Sequence, residues 1–294
     1  MFSKYSTSRK IFVICNYIIL IFLAFICLLP IINILAVSLS SSSAAGSGLV
    51  RFWPVEFSLK SYEFVLKKKE FLQAFAVSVK RLIVGVPVNM ILTILLGYPL
   101  AKENHEFRGR QFYVIFFVIT MLFSGGLIPW YMTISNLKLV DNFWALILPN
   151  AVPVFNVIIM MNFFRQLPKE LEEAALIDGA TRLRTLFQIL VPLAKPAIAT
   201  LTLFCIITHW NSWFDGLLLM NTPDKYPLQS YLQTVIINQD MSLMTSSDVL
   251  LLSEVSDRTQ KAAQAFVAAF PVLIVYPFLQ KYFASGIIVG GVKG

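Results

Sequence analysis

Long apolar stretches alternate with short polar ones along this chain. Charge-free runs occupy residues 11–50 (apolar through Val37), 82–101, 111–137, 142–164 and 262–280. A sixth apolar run begins near Val191 and extends to Met220, with Lys195 near its start and Asp215 interrupting it late. A helix needs about 20 apolar residues to cross about 30 Å of hydrocarbon. The pattern therefore predicts an all-α integral membrane protein with six transmembrane helices in a lipid bilayer. Residues 41–48, SSSAAGSG, read as a flexible linker. Leu59, Tyr62, Phe64, Val65 and Leu66 lie near helical spacing, which suits either an amphipathic surface helix or a solvated connector.

Composition agrees with the pattern. Hydrophobic residues make up 57% of the 294 positions and charged residues 14%, more apolar surface than one soluble core could hide. Lys4, Arg9 and Lys10 ahead of the first run could open a signal peptide, but the apolar stretch is too long for a cleaved one, and an uncleaved span is expected. Cys15, Cys27 and Cys205 lie within predicted spans at no metal-ligand spacing, so neither a metal site nor a disulfide framework is expected. The formal charge of +8 is scattered beside spans, which excludes a gathered nucleic-acid face.

The basic start places the N-terminus in the cytoplasm, and six crossings return the C-terminus to the same side. Residues 102–110 and the polar stretch 165–196 then face the cytoplasm, and the acid-rich residues 221–261 face outward. Residues 38–74 argue against this orientation, because the run Lys67-Lys68-Lys69 would lie outside.

The stretch EEAALIDGATRLRTLFQILVPLAKP, residues 172–196, is polar between two spans. Pro168 suits a first helical turn, and Glu170, Glu172 and Glu173 fall where acids favour a helix N-terminus. Leu171, Ala174, Ala175 and Asp178 line one side, and Gly179 is placed to end the helix in the left-handed conformation. Small residues on such a face allow another backbone to come close, while an ordinary amphipathic connector on the membrane surface would show the same periodicity.

Glu173-Ala174-Ala175, Gly179 six positions after the glutamate, Ile189 ten further and Pro192 three beyond closely resemble the EAA loop of permease subunits in bacterial ABC importers. Val191 stands where a leucine commonly precedes the proline. The C-terminal SGIIVGGVKG is similar to the tail of maltose-type permeases, and residues 123–150 resemble carbohydrate-uptake permeases, among them alginate-oligosaccharide importers. The resemblance covers most of residues 71–294. It implies an N-terminal span and external linker over residues 1–74, then an importer core over 75–294 with the EAA loop at 168–196 and a cytoplasmic tail at 285–294.

It implies further that Glu173, Ala174, Ala175, Asp178 and Gly179, with Gly290, Gly291 and Lys293 of the tail, couple the chain to an ATPase subunit. The implied partners are an ATPase homodimer, a second homologous permease, an extracytoplasmic solute-binding protein touching residues 221–261, and a saccharide, in a bacterial inner membrane. No cofactor of its own is expected, with ATP and Mg bound by the ATPase subunits, since no phosphate-binding G-x-x-x-x-G-K-[ST] loop occurs. Nor are the residues of a hydrolase present, so the chain is not expected to be an enzyme.

Polar groups inside spans are costly and point to function. Asn89, Asn156 and Asn162 qualify, and THWNSWFDG, residues 208–216, is the richest cluster. Asn156, Trp210, Asn211, Trp213 and Asp215 are the candidate saccharide path, although each tryptophan alone suits an interfacial belt. An ion-gradient-driven transporter is the alternative, with Asp215 as its intramembrane carboxylate.

Overall fold

The structure, a computed structural model, describes residues 7–237 and 256–286. All regular secondary structure among the described residues is helical, with no strand. In chain order the helices are α1 (Thr7–Ser38), α2 (Ser42–Gly46), α3 (Lys60–Lys67), α4 (Lys69–Ala101), α5 (Arg110–Leu122), α6 (Leu127–Asn136), α7 (Val154–Gln166), α8 (Lys169–Ile177), α9 (Arg182–Thr185), α10 (Val191–Leu193), α11 (Lys195–Asn211), α12 (Phe214–Leu219), α13 (Leu228–Leu232) and α14 (Asp257–Gly286). The chain divides into two compact units, residues 1–71 with 234–270, and residues 72–233 with 271–294.

In the first unit, α1 has an apolar middle that nothing among the described residues covers; Phe12 is 70% and Ile21 68% exposed. The stretch expected as a flexible linker instead forms α2. Ser41 caps it, its Oγ accepting the Ala44 N–H at 3.2 Å, and Ala44 and Ala45 pack with Ala36, Val37 and Val50. Small side chains that look linker-like are here the ones that fit a tight core. The segment at helical spacing is α3, with Phe64 and Val65 buried.

The second unit is built around α4. Among the described residues, two helices, residues 8–38 and Lys69–Ala101, are individually long and apolar enough to cross a membrane. Three further apolar runs are broken. The run 111–137 divides into α5 and α6, bent by 113° at residues 123–126, where Gly126 takes a φ of +87°. The run 142–164 holds two 3-10 turns, Phe143–Leu146 and Leu148–Asn150, bent by 46° from α7. Residues 182–193 meet α11 at 84°, with Ala194 between Pro192 and Pro196 as the hinge.

Met90, Ile94 and Tyr98 of α4 pack with Met160 and Phe164 of α7, Leu186 and Leu190 after α9, and Leu201 and Cys205 of α11. The approach of α4 to α7 is close: a Cβ on Gly97 would stand 2.9 Å from Met160 Cγ. Only a residue without a side chain fits there.

Candidate functional site

The polar hairpin forms as its local sequence directs. Glu170 and Glu172 occupy the first turn of α8, where negative charge complements unpaired amides. Gly179 adopts φ +80°. The Ala180 N–H donates to the Ala175 carbonyl at 2.9 Å and the Gly179 N–H to that of Leu176 at 3.1 Å, the paired closure of a Schellman end. Thr181 then caps α9, its Oγ1 accepting the Arg184 N–H at 3.3 Å.

The two alanines of the motif face opposite ways. Ala175 is turned inward and buried, whereas Glu173, Ala174, Asp178 and Gly179 are exposed beside Ile177, which is 86% exposed. Gly290, Gly291 and Lys293 lie outside the described residues, as do residues 238–255 of the expected binding-protein loop.

Glu172, not its neighbour Glu173, ties the hairpin to α4. Its Oε1 accepts from the Tyr98 hydroxyl at 2.6 Å and forms an ion pair with Lys102 Nζ. Lys102 in turn lies 4.5 Å above the Tyr98 ring. The Lys102 and Glu172 side chains are only 9% and 17% exposed. Two exposed ion pairs flank this contact, Lys169 with Glu103 and Arg182 with Glu106, the latter at 3.5 Å. The Lys169 ammonium, by hydrogen bond and by charge, holds the Glu103 carboxyl below the usual carboxylate range, and the same contact raises Lys169. A cavity of about 520 Å³ opens among these groups.

A second polar cluster is buried in the same unit. Arg81, Gly85 and Asn89 recur every four residues and so share one face of α4. Arg81 donates both terminal nitrogens to Asp215 and its Nε to His209 Nδ1 at 3.3 Å. Because Nδ1 accepts there, the imidazole is neutral with its proton on Nε2, which donates to Asn89 Oδ1 at 2.6 Å. The Asn89 amide donates to the carbonyls of Asn150 and Ala151, both at 2.8 Å. Asp215 Oδ1 also accepts from Ser212 Oγ at 2.8 Å and from the Gly216 N–H at 2.9 Å. The His209 ring occupies the notch that Gly85 leaves; a Cβ there would stand 2.8 Å from Cε1 and Nε2.

A cavity of about 450 Å³ is lined by Arg81, Asn89, Asn156, Phe155, Phe204 and Ser212, among others. Of the residues expected along the path, Asn156 lines this cavity and donates to Cys205 Sγ at 3.3 Å. Asp215 lies behind Arg81, away from the lining. Trp210 is buried edge-to-face against Phe75, 5.9 Å between centroids, while Asn211 and Trp213 are exposed. Arg81 escapes a reading of apolar runs because it stands just before the run that begins at Leu82. The four-residue recurrence of Arg81, Gly85 and Asn89 was the signal that could have found it.

Residues 67–289 match the family described as binding-protein-dependent transport system inner membrane component. Protein LplC of Bacillus subtilis (strain 168) is 39% identical over 285 residues, covering 97% of this chain and 96% of that one. The polygalacturonan/rhamnogalacturonan transport system permease protein YtcP of the same organism is 39% identical over 291 residues, covering 97% and 99%. A chain of a bacterial ABC transporter involved in the import of the acidic polysaccharide alginate superposes with a TM-score of 0.87 at 36% identity, covering 95% of this chain and 99% of that one.

Proposed function

This chain belongs to the family of inner membrane components of binding-protein-dependent transport systems, and from that membership we propose that it is the permease subunit of an ATP-driven importer of acidic oligosaccharides. The names of the similar proteins, a polygalacturonan/rhamnogalacturonan permease and an alginate importer, support a uronate-containing saccharide. The chain crosses the inner membrane six times, through α1, α4, the three bent pairs and α14, with both termini in the cytoplasm. The lengths and apolarity of the first five support this count.

The observation that carries the mechanism is the outward face of the hairpin. Glu173, Ala174 and Ile177 are exposed on a helix closed by Gly179, with Glu173 near Lys169 at the rim of the cavity. A nine-residue helix with an apolar, small-residue face and a carboxylate suits a groove on a soluble partner. That partner is the ATPase subunit, present as a homodimer that binds ATP and Mg. A second homologous permease completes the path, and an extracytoplasmic binding protein delivers the saccharide. Closure of the ATPase dimer displaces the hairpin, and the spans rock to open the path inward. The gradient-driven alternative would rely on Asp215, whose oxygens are taken up by Arg81, Ser212 and the Gly216 amide.

Affinity purification of the chain from mildly solubilised native membranes tests this reading. An ATPase and a second permease are expected to accompany the native chain, and a Gly179→Pro variant is expected to lose the ATPase. Recovery without any ATPase across several mild detergents would refute the importer reading.

A further inference from the structure

A hairpin that docks on a motor moves the spans only if something stiff joins the two. Most of its polar links to the end of α4 are exposed ion pairs, Lys169 with Glu103 and Arg182 with Glu106. Such pairs are screened and contribute little rigidity. The link through Glu172 is of another kind: one carboxylate oxygen takes a hydroxyl and an ammonium together, Tyr98 from the last turn of α4 and Lys102 from the residue just past its end. Charge-assisted bonds of this sort are roughly twice as strong as neutral ones, and here they are largely shielded from water. Ala175, one turn on, is buried beside the same contact face. Tyr98 is itself locked edge-to-face against Phe164 of α7, 6.3 Å between centroids, so the contact reaches a second helix. Glu173, one residue further, is exposed at the rim of the same cavity, near Lys169.

From this division of labour we propose that Glu172, Tyr98 and Lys102 form the joint that transmits hairpin displacement to α4 and α7, while Glu173 serves the outer, docking face. The proposal rests on the importer reading above. Glu172 is a positioning residue: it does not touch the saccharide, and its loss uncouples hydrolysis from movement without releasing the motor.

The test uses the whole transporter reconstituted in proteoliposomes with its binding protein and alginate oligosaccharide as the probe, measuring ATP hydrolysed and saccharide accumulated in the same vesicles. Glu172→Gln keeps the shape and removes the charge, and Tyr98→Phe removes one oxygen and preserves packing. Both are expected to retain the ATPase subunits in normal amount but to lower saccharide moved per ATP at least about fivefold, the range of a coupling interaction. Glu173→Gln is expected to weaken ATPase recruitment instead. Should both joint variants keep the native ratio, or lose the ATPase as Glu173→Gln does, the joint is refuted. If the unaltered chain recruits no ATPase, the importer reading and the joint fall together; if it transports with ATP and the ratio is insensitive to Glu172, the joint alone falls.

Discussion

Replacing Asp215 by asparagine leaves the Arg81 guanidinium buried without its counter-charge. The two side chains are 9% and 2% exposed, so water can replace little of the lost interaction. Breaking a buried ion pair by removing one partner costs about 3–5 kcal/mol. Asparagine Oδ1 can still accept from Ser212 Oγ and the Gly216 amide, which puts the cost near the lower end, about 3 kcal/mol. At about 2–4 °C per kcal/mol for a unit of this size, the unfolding midpoint should fall by about 6–12 °C. Cys205 offers a built-in reporter: it is buried, whereas Cys15 and Cys27 are exposed and can be replaced by serine. A thiol-reactive fluorophore followed against temperature in detergent then reads the exposure of Cys205. Adding Arg81→Met should recover part of the loss, because an apolar chain needs no counter-charge. A midpoint for Asp215→Asn within about 1 °C of the native value, or a double variant less stable than the single one, would refute the reasoning.

Gly85→Ala should place a methyl 2.8 Å from the His209 ring and lower stability by about 1–3 kcal/mol, read by the same Cys205 melt. Gly179→Ala forces a Cβ into φ +80°, costing about 1–2 kcal/mol, and should reduce ATPase recovery in affinity purification without abolishing insertion. Lys169, whose pKa is raised by Glu103, should be acylated by an amine reagent at mildly alkaline pH more slowly than other exposed lysines, and Glu103→Gln should remove that protection, as peptide mass spectrometry would show. The sign on the acid side follows from the lowered Glu103 pKa: the contribution of the pair is present above the ordinary carboxylate pKa and is lost as pH falls through the depressed one. On the alkaline side it is lost as pH rises through the raised Lys169 value, so Lys169 protection should be narrowest at both extremes.

The features that the sequence made legible are those set locally. Pro168, the first-turn acids and Gly179 specify α8 and its left-handed end within a dozen residues, and the structure forms both. The apolar runs likewise mark where helices lie, since about 20 such residues are a compositional signal. The breaks within them were not legible. Glycine and proline are tolerated inside membrane helices, so Ser124-Gly125-Gly126 and Pro192 with Pro196 are compatible with either straight or bent spans. Whether Glu172 or Glu173 faces inward depends on which side of α8 meets α4, a tertiary fact that a nine-residue amphipathic pattern underdetermines. Arg81 and Asp215 are separated by 134 positions, and nothing along the chain couples them until α4 and the α11–α12 break are packed together. Trp210 shows the converse: an aromatic beside polar residues suggested sugar stacking, and packing against Phe75 places it in the core.

The most direct test of an ATP-driven importer is accumulation of labelled alginate oligosaccharide in intact cells expressing this chain with its partners, under separate control of ATP and of the ion gradient. With the gradient collapsed and ATP maintained, uptake should continue. With ATP depleted and the gradient held, it should stop. Uptake that survives ATP depletion and disappears with the gradient would contradict the importer reading and assign the chain to gradient-driven transport.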